Sequence, residues 1–247
     1  MKNRIRVLSA TVLCCCLASG QSRSEENASN PLAAVNNTDL RYQYFDPGSG
    51  DRQDLFIDGS YMLRPDIKLK YELHYNSTNV TGNRENDFEK INAKLIYFPY
   101  QASLNETWAV KTAVGLEWIV DLGDPDIGIG TGSDQLAPLF GAAFANKKTG
   151  LTLLPLIQHF ESYNGPTDIS QTAMRLIAIQ PFAQNYWAKM DLKVPYDWEN
   201  NKWPASVELQ LGWNLSAQMA LFADLLVGVG SDRPFDNGIG LGVRFNY

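Results

Sequence analysis

Cysteine is almost absent from this chain, and it is confined to one short stretch. All three cysteines, Cys14, Cys15 and Cys16, lie within the first twenty of 247 residues. The rest of the chain can form no disulfide and offers no thiolate for a metal site or for nucleophilic chemistry. Histidine is also scarce, with only His74 and His159. Stability must therefore come from burial and from backbone hydrogen bonds.

The sequence also lacks long apolar runs. A transmembrane helix needs about 20 consecutive apolar residues, and no stretch in this chain approaches that length. The other way to cross a bilayer is a closed β-barrel, because every backbone donor and acceptor must be paired where water is absent. An aromatic content of 11% and many short segments of alternating polarity favour the barrel.

The N-terminus is typical of an export signal. A basic start, MKNRIR, precedes an apolar run of about a dozen residues, and small residues follow it. We therefore expect residues 1–20 to be a signal peptide that is cleaved. An N-terminal anchor and a lipoprotein signal at the cysteines are the alternatives.

Two segments follow the signal. Residues 21–37 are rich in Ser, Asn and Glu and are predicted to be a flexible periplasmic leader, and residues 38–247 to be one barrel domain. Loss of the signal removes three bases and leaves 18 of the 21 Lys and Arg against 27 Asp and Glu, a net charge of −9. Such a balance argues against nucleic acid as a partner.

The barrel domain consists of segments in which apolar and polar side chains alternate. In the last segment Leu241, Val243 and Phe245 fall on one face and Arg244 and Asn246 on the other, because strand side chains have a period of two. Twelve segments can be counted, and an even number returns both termini to the periplasmic side. They are 38–46, 53–63, 67–78, 87–98, 107–120, 135–145, 150–162, 171–181, 186–196, 205–215, 218–229 and 238–247.

The connections between these segments alternate between long and short, apart from a longer turn expected after Phe98. The fold prediction is an antiparallel transmembrane β-barrel of about 12 strands, with apolar side chains toward lipid and a polar lumen. Alternation alone does not say which face is inside, so a soluble sandwich is the alternative. Strand pairing around Pro138 and Pro155 stays open, since proline removes a ladder donor.

The C-terminus carries a second pattern that is typical of an outer-membrane protein. Val243, Phe245 and Tyr247 alternate up to the last residue, and this pattern resembles the C-terminal signal that outer-membrane barrels present to the barrel-assembly machinery. The expected location is therefore the outer membrane of a Gram-negative bacterium. Expected partners are outer-membrane lipid, the assembly machinery and a small-molecule solute.

The segments DLFIDGSYML, KLKYELHY, LPLIQHFESYNG and GVRFNY resemble a family of bacterial outer-membrane proteins. That family is labelled as putative meta-pathway phenol-degradation or transporter proteins. The resemblance covers nearly all of the chain after the signal. It implies a barrel and uptake of small, often aromatic, compounds, and it brings no site residues with it.

The predicted lumen carries more bases than acids, although the whole chain is acidic. We therefore expect a narrow channel for passive uptake of small anionic or polar aromatic solutes, with no cofactor and no metal. A plugged barrel with a structural role is the alternative. The predicted lumen residues are Arg41, Asp58, Lys68, Lys70, Glu72, His74, Lys90, Lys94, Lys111, Glu117, His159, Glu161, Arg175, Lys189, Asp191, Lys193, Glu208, Asp224 and Arg244.

An outer-membrane lipid hydrolase is a third hypothesis, and the sequence disfavours it. Such an enzyme needs a His base and a Ser nucleophile on one face of the wall. Ser162 follows His159 by three residues, and Ser77 follows His74 by three, so a period of two separates each pair. Only a β-bulge would bring either pair together. We therefore predict no enzymatic activity.

Acidic residues gather in the segment DLGDPDIGIGTGSD, which includes Asp121, Asp124, Asp126 and Asp134. Carboxylates on a glycine-rich loop can bind a hard cation such as calcium, but their spacing fits no EF-hand. A solvated loop is the preferred interpretation.

Overall fold

The structure is a computed structural model, and it describes residues 28–247. The predicted signal peptide, residues 1–20, and the first part of the predicted leader lie outside the described residues. Within residues 28–247, the only helical element is one 3₁₀ turn, Pro125–Ile127. No helix of the described chain has the length and apolarity that membrane crossing requires.

Twelve antiparallel strands form one closed barrel, as predicted. Each strand pairs with its neighbours in sequence, and β1 pairs with β12 to close the wall. Closure leaves no unpaired sheet edge, which is the condition for crossing a bilayer with strands. The strands are β1 Asn37–Asp46, β2 Arg52–Arg64, β3 Ile67–Thr78, β4 Glu85–Ser103, β5 Trp108–Asp121, β6 Asp134–Asn146, β7 Thr152–Asn164, β8 Ser170–Phe182, β9 Tyr186–Asp197, β10 Ala205–Asn214, β11 Met219–Val229 and β12 Asn237–Asn246.

The wall carries its apolar side chains outward. On β12 Leu241 is 65% exposed and Phe245 47%, whereas Arg244 between them is 6% exposed. The same alternation runs along the paired strands β11 and β10, where Leu225 and Leu209 face out. The predicted orientation is therefore confirmed, and it places a hydrocarbon surface toward lipid and the charges around the barrel axis.

Strand β4 departs from the predicted pattern in two places. It runs to Ser103, so the longer turn expected after Phe98 is mostly strand, and the register shifts between Tyr97 and Tyr100. A second shift faces His74, where Lys90 and then Phe88 are the successive partners and Glu89 is the extra residue. An extra residue in one strand breaks the period of two locally.

The two prolines lie within regular strands. Pro138 on β6 pairs with Leu116, and Pro155 on β7 pairs with Leu176. Between β6 and β7 the paired positions skip Pro138, as expected for a residue that has no backbone N–H. Both strands nevertheless span the full wall.

Candidate functional site in the lumen

Most of the predicted lumen residues lie on the inward face of the wall. The inward set consists of Arg41, Asp58, Lys68, Lys70, Glu72, His74, Lys90, Lys94, Lys111, Glu117, Arg175, Lys189, Asp191, Lys193, Glu208, Asp224 and Arg244. Asp39, Asp54 and Gln210 also lie on the inward face but were not among the predicted lumen residues. Each lies an even number of positions from a predicted lumen residue on the same strand, so the alternation could have identified it. Glu89 was not predicted either. The alternation of β4 would have placed Glu89 on the outward face, but the bulge turns its side chain inward.

His159 and Glu161 were predicted for the lumen but lie on the outward face. Their neighbour Gln158 points inward and donates to Glu117 at 2.6 Å. His159 instead lies 2.9 Å from the hydroxyl of Thr172 and 3.2 Å from Glu161. Adjacent polar residues at 158 and 159 hide the alternation here, so the sequence did not reveal which one faces lipid.

The serine that the hydrolase hypothesis requires does not contact His159. The Ser162 hydroxyl accepts a hydrogen bond from the backbone N–H of Ile169 at 3.0 Å. The hydroxyl beside His159 belongs to Thr172, which also accepts a hydrogen bond from the Trp198 indole at 3.0 Å. This outward group therefore differs from the Ser–His pair that the hydrolase hypothesis requires.

A network of ion pairs runs along the inner wall from β1 through β11 and β10 to β9. Asp224 accepts hydrogen bonds from Arg41 at 2.7 Å and from Gln210 at 2.8 Å. The Arg41 guanidinium also lies 3.6 Å from Glu208, which pairs with Lys189 at 2.7 Å. Buried charges of this kind are tolerated only when they are paired and hydrogen-bonded.

Aromatic rings separate the guanidinium groups of the network. Arg41 lies between Phe56, at 5.0 Å from the ring centroid, and Phe222, at 5.3 Å. Arg244 lies 5.3 Å from Phe222 and 6.0 Å from Trp187. The rings act as cation–π partners and hold both cations at fixed positions on the wall.

The predicted leader is not a free periplasmic segment where the structure describes it. Residues 28–36, here called the leader plug, enter the periplasmic end of the barrel. Leu32 and Ala33 are 2% and 0% exposed. Leu32 belongs to one apolar cluster with inward side chains from β4, β5, β6, β7, β8, β9 and β11, namely Ile96, Phe98, Ala113, Ala143, Leu154, Ile177, Ile179, Trp187, Ala220 and Phe222. Because this cluster joins side chains from seven strands, Leu32 lies in the interior of the barrel.

Two lysines of the wall hold the backbone of the leader plug. Lys68 donates to the carbonyl of Ala33 at 2.8 Å and to that of Pro31 at 3.2 Å. Lys111 donates to the carbonyl of Leu32 at 3.4 Å. Both were predicted as lumen cations, and both bind the chain's own N-terminal segment, so they are not available to a solute while the plug is in place.

The side chains of the plug extend this attachment to other strands. Arg244 donates to the Ser29 hydroxyl at 2.7 Å, and Ser60 donates to the carbonyl of Val35 at 2.9 Å. The backbone N–H of Met62 donates to the side chain of Asn36 at 2.8 Å. The correction to the predicted flexible leader has a physical reason, since a polar sequence provides many hydrogen-bonding groups that a polar lumen can satisfy.

The acidic loop between β5 and β6 is not arranged around a cation. Asp121 accepts hydrogen bonds from the backbone N–H groups of Thr131 and Gly132, and Asp124 accepts one from Asp126 as the cap of the 3₁₀ turn. Carboxylates bound to backbone donors in this way order the loop. The structure thus agrees with an ordinary loop and gives no support to calcium binding there.

A second outer loop is held by an ion pair at the mouth. Arg84 donates to both carboxylate oxygens of Asp51 at 2.7 Å. This guanidinium lowers the pKa of Asp51 below its ordinary value. The pair joins the β1–β2 loop to the β3–β4 loop on the rim of the barrel.

The pair between Arg244 and Asp39 allows a test of the network. Nε of Arg244 lies 2.8 Å and 3.0 Å from the two carboxylate oxygens of Asp39, and the pair is buried. We expect Arg244→Met to cost about 3–5 kcal/mol in free energy of unfolding, because it leaves a buried carboxylate without its cation. Urea unfolding of the folded barrel, followed by tryptophan fluorescence, measures this loss.

Arg64→Met is the matched control for that experiment. Arg64 makes the same type of pair with Asp66, but its side chain is 67% exposed, so the cost should stay below about 1 kcal/mol. Equal losses in the two variants would contradict the assignment of Arg244 to a buried network.

Comparison with known proteins finds similarity in structure alone. No protein-family model and no curated protein matches the sequence. An outer membrane channel from Pseudomonas putida aligns with a TM-score of 0.59 and 9% identity over 92% of this chain and all of the other. The NanC porin aligns at 0.58 and 11% identity over 85% of this chain and all of the other. The KdgM porin in complex with disordered oligogalacturonate aligns at 0.57 and 10% identity over 85% of this chain and 99% of the other.

These alignments confirm the prediction of an outer-membrane type of β-barrel. At identities of 9–11%, these alignments show a similarity of fold alone. The narrower resemblance to phenol-degradation transporters has no sequence match behind it and stays a prediction.

Proposed function

We propose that this protein is an outer-membrane channel for passive uptake of small anionic solutes, with the leader plug closing its periplasmic end. The barrel has the outward apolar surface that a membrane protein needs, and the solved structures named above are channels. The observation that carries the choice of anions is the unequal exposure of the two signs of charge in the lumen.

Acidic side chains of the lumen are mostly withdrawn into the wall. The carboxylates of Asp191 and Asp224 are fully buried, and that of Glu117 is 5% exposed. Two cationic groups, Lys90 and Arg175, reach further toward the axis and are about 30% exposed. Of the other paired cations, Arg41, Lys94, Lys189 and Arg244 are 7–14% exposed. Lys90 and Arg175 are therefore more exposed to water and solute than the most exposed acids of the lumen, Glu72 at 24% and Asp58 at 15%.

Like charges of both signs lie directly opposite each other on neighbouring strands. The acidic pairs are Asp39 with Asp58, Asp58 with Glu72, and Asp191 with Glu208. Lys70 is paired with Lys94 between β3 and β4, and Arg175 with Lys193 between β8 and β9. Like charges at directly opposite positions destabilise a sheet. A solute anion passing between the two cationic pairs would relieve the repulsion within each pair. We therefore assign anion selectivity to Lys70, Lys94, Arg175 and Lys193. Oligogalacturonate, which is named with the KdgM porin, is likewise an anion.

Space for a solute exists on the outer side of the network. One cavity of about 180 Å³ is lined by residues of β4, β5, β6, β7 and β8 and by the β5–β6 loop. A second cavity of about 150 Å³ lies beside Lys193 and Glu208. Both lie above the apolar floor that surrounds Leu32, so passage to the periplasm requires the leader plug to move.

Reversal potentials in planar bilayers test the proposal. Under a KCl gradient we expect the sign that corresponds to chloride permeation, because exposed lysines and arginines exclude potassium. The measurement should be made on the whole protein and on a form without the leader plug. Cation selectivity in the conducting form would contradict the proposal.

A plugged barrel with a structural role is the second candidate, and the buried position of Leu32 favours it. The two functions separate in one comparison. A structural barrel conducts no ions with the plug present or removed, whereas a channel conducts when the plug is gone.

The expected contact with the barrel-assembly machinery is part of the same proposal. Val243, Phe245 and Tyr247 lie on the outward face at the periplasmic end of β12, where Phe245 and Tyr247 are exposed. An exposed apolar strand end is suited to pair with another protein before the barrel closes.

A further inference from the structure

Three side chains of metal-ligand type meet in the outer half of the lumen. His74 on β3, Asp54 on β2 and Glu89 on β4 are all buried, and one ligand atom from each lies within 4.8 Å of the others. Nδ1 of His74 is 2.9 Å from Oδ2 of Asp54. One imidazole nitrogen and two carboxylates form a donor set that zinc and related transition ions prefer.

Asp54 supplies an independent indication of a missing partner. Its side chain is 8% exposed, and its second oxygen, Oδ1, has no hydrogen-bond partner among the described residues. A buried carboxylate oxygen without a partner is costly. It belongs to the carboxylate that touches His74, so a cation at the cluster would satisfy it.

His74 is held in the orientation that a metal ligand requires. Its other nitrogen, Nε2, lies 3.5 Å from Glu72, and its ring stacks on Phe56 with centroids 4.6 Å apart. With the proton on Nε2 toward Glu72, Nδ1 can exchange its contact with Asp54 for a metal ion that both groups bind. Glu72 therefore has the place of the outer partner in a carboxylate–histidine–metal arrangement.

Glu89 reaches the cluster only because of the bulge in β4. In a regular strand its side chain would lie on the outward face with Ile91, two residues further on, which is exposed. Bulges are frequent next to functional sites, where they re-aim one side chain. Asn76 donates to Glu89 at 2.6 Å and orients the carboxylate.

Two cations near the cluster must be counted against metal binding. Arg52 lies 2.8 Å and Lys90 3.5 Å from Oε1 of Glu89. Lys70, at 4.0 Å from Glu72, is a third cation, so the cations balance the carboxylates of Asp54, Glu72 and Glu89. Of these carboxylates, Asp54 is the one whose partner is the imidazole and not a lysine or arginine. Lys90 makes the longer of the two contacts with Glu89 and lines the 180 Å³ cavity beside it, so it has room to withdraw when an ion enters from the outer mouth.

We propose that His74, Asp54 and Glu89 bind one divalent transition-metal ion in the outer half of the lumen. Zinc is the ion of choice, since an imidazole ligand disfavours calcium and magnesium. The site stands on these contacts and does not depend on the channel proposal, because binding can be measured without conductance.

Zinc titration of the purified, detergent-folded full chain tests the site. The protein is first stripped with a chelator and its cysteines are alkylated, so that Cys14, Cys15 and Cys16 cannot bind the metal. Isothermal titration should give one zinc per barrel. His74→Ala should weaken binding by more than about tenfold, the loss typical of removing even an outer partner. Calcium should not compete.

His159→Ala is the matched control, because it removes the other histidine from the outward face of the wall. It should bind zinc like the parent protein. Asp54→Asn keeps the shape of the side chain and provides a second variant if His74→Ala does not give the heat-modifiable mobility of a folded barrel. The proposal is overturned if the parent binds no zinc, if His159→Ala loses as much affinity as His74→Ala, or if folded Asp54→Asn binds unchanged.

Discussion

Removal of residues 28–34 should raise the single-channel conductance several-fold. Leu32 and Ala33 fill the periplasmic end of the lumen, and the side chains around them come from seven strands. Without them the apolar floor has no central residue, and water can enter from the periplasmic side. Planar-bilayer recordings of the parent and the shortened protein measure the change.

A point variant separates the effect of releasing the plug from the effect of shortening the N-terminal segment. Lys68→Met removes the donor that holds the carbonyls of Pro31 and Ala33, so it should increase the frequency of openings while the leader is intact. Lys148→Met, on an exposed turn at the same end of the barrel, is its control. Unchanged conductance in both the shortened protein and Lys68→Met would show that the leader does not close the channel.

The double variant K70E/K193E should reverse the charge selectivity of the conducting form. Each substitution replaces a like-charge pair by an opposite-charge pair, with Lys94 and with Arg175 respectively. Cross-strand pairs of opposite charge favour the sheet, so the barrel should fold. The net charge of the lumen becomes more negative by four elementary charges. The reversal potential under a KCl gradient should therefore change sign.

K148E/K202E is the control for this effect, since both lysines are exposed outside the lumen. It makes the same change in net charge and should leave the reversal potential close to that of the parent. Equal shifts in the two double variants would place the selectivity at the protein surface and would contradict the lumen assignment.

The two expected effects act in series along the axis. The exposed cations lie in the middle and outer lumen, and the leader plug lies on the periplasmic side of them. Selectivity and closure therefore depend on different residues, and the shortened protein should keep its preference for anions. This independence is testable because Lys70 lies beside Glu72 and Lys193 lines the second cavity, whereas Lys68 and Lys111 hold the leader plug.

Much of the fold was predictable because alternation is a local property. Leu241 and Arg244 fall on opposite faces of β12 whatever the other eleven strands do. Each of the twelve predicted segments overlaps one observed strand. The sequence failed where the pattern is locally absent, as at Gln158 and His159, or locally broken, as at Glu89.

The candidate site was predictable only in part. Arg41 and Asp224 were assigned to the lumen from parity, yet their contact at 2.7 Å joins residues on β1 and β11, and no local signal gives that distance. The cluster of His74 with Asp54 and Glu89 likewise requires the register of three strands and one bulge. Residue types could be assigned to a face, but their neighbours could not.

By itself, the sequence determined an even number of strands with one apolar and one polar face, because strand side chains have a period of two. The export signal and the C-terminal pattern favoured a membrane barrel with the apolar face outward. The tertiary structure decided what occupies the lumen. The position of Leu32 depends on side chains brought together from β4 to β11, and only barrel closure puts them around one axis. Closure likewise fixed which charges are buried in pairs and which remain exposed to a solute.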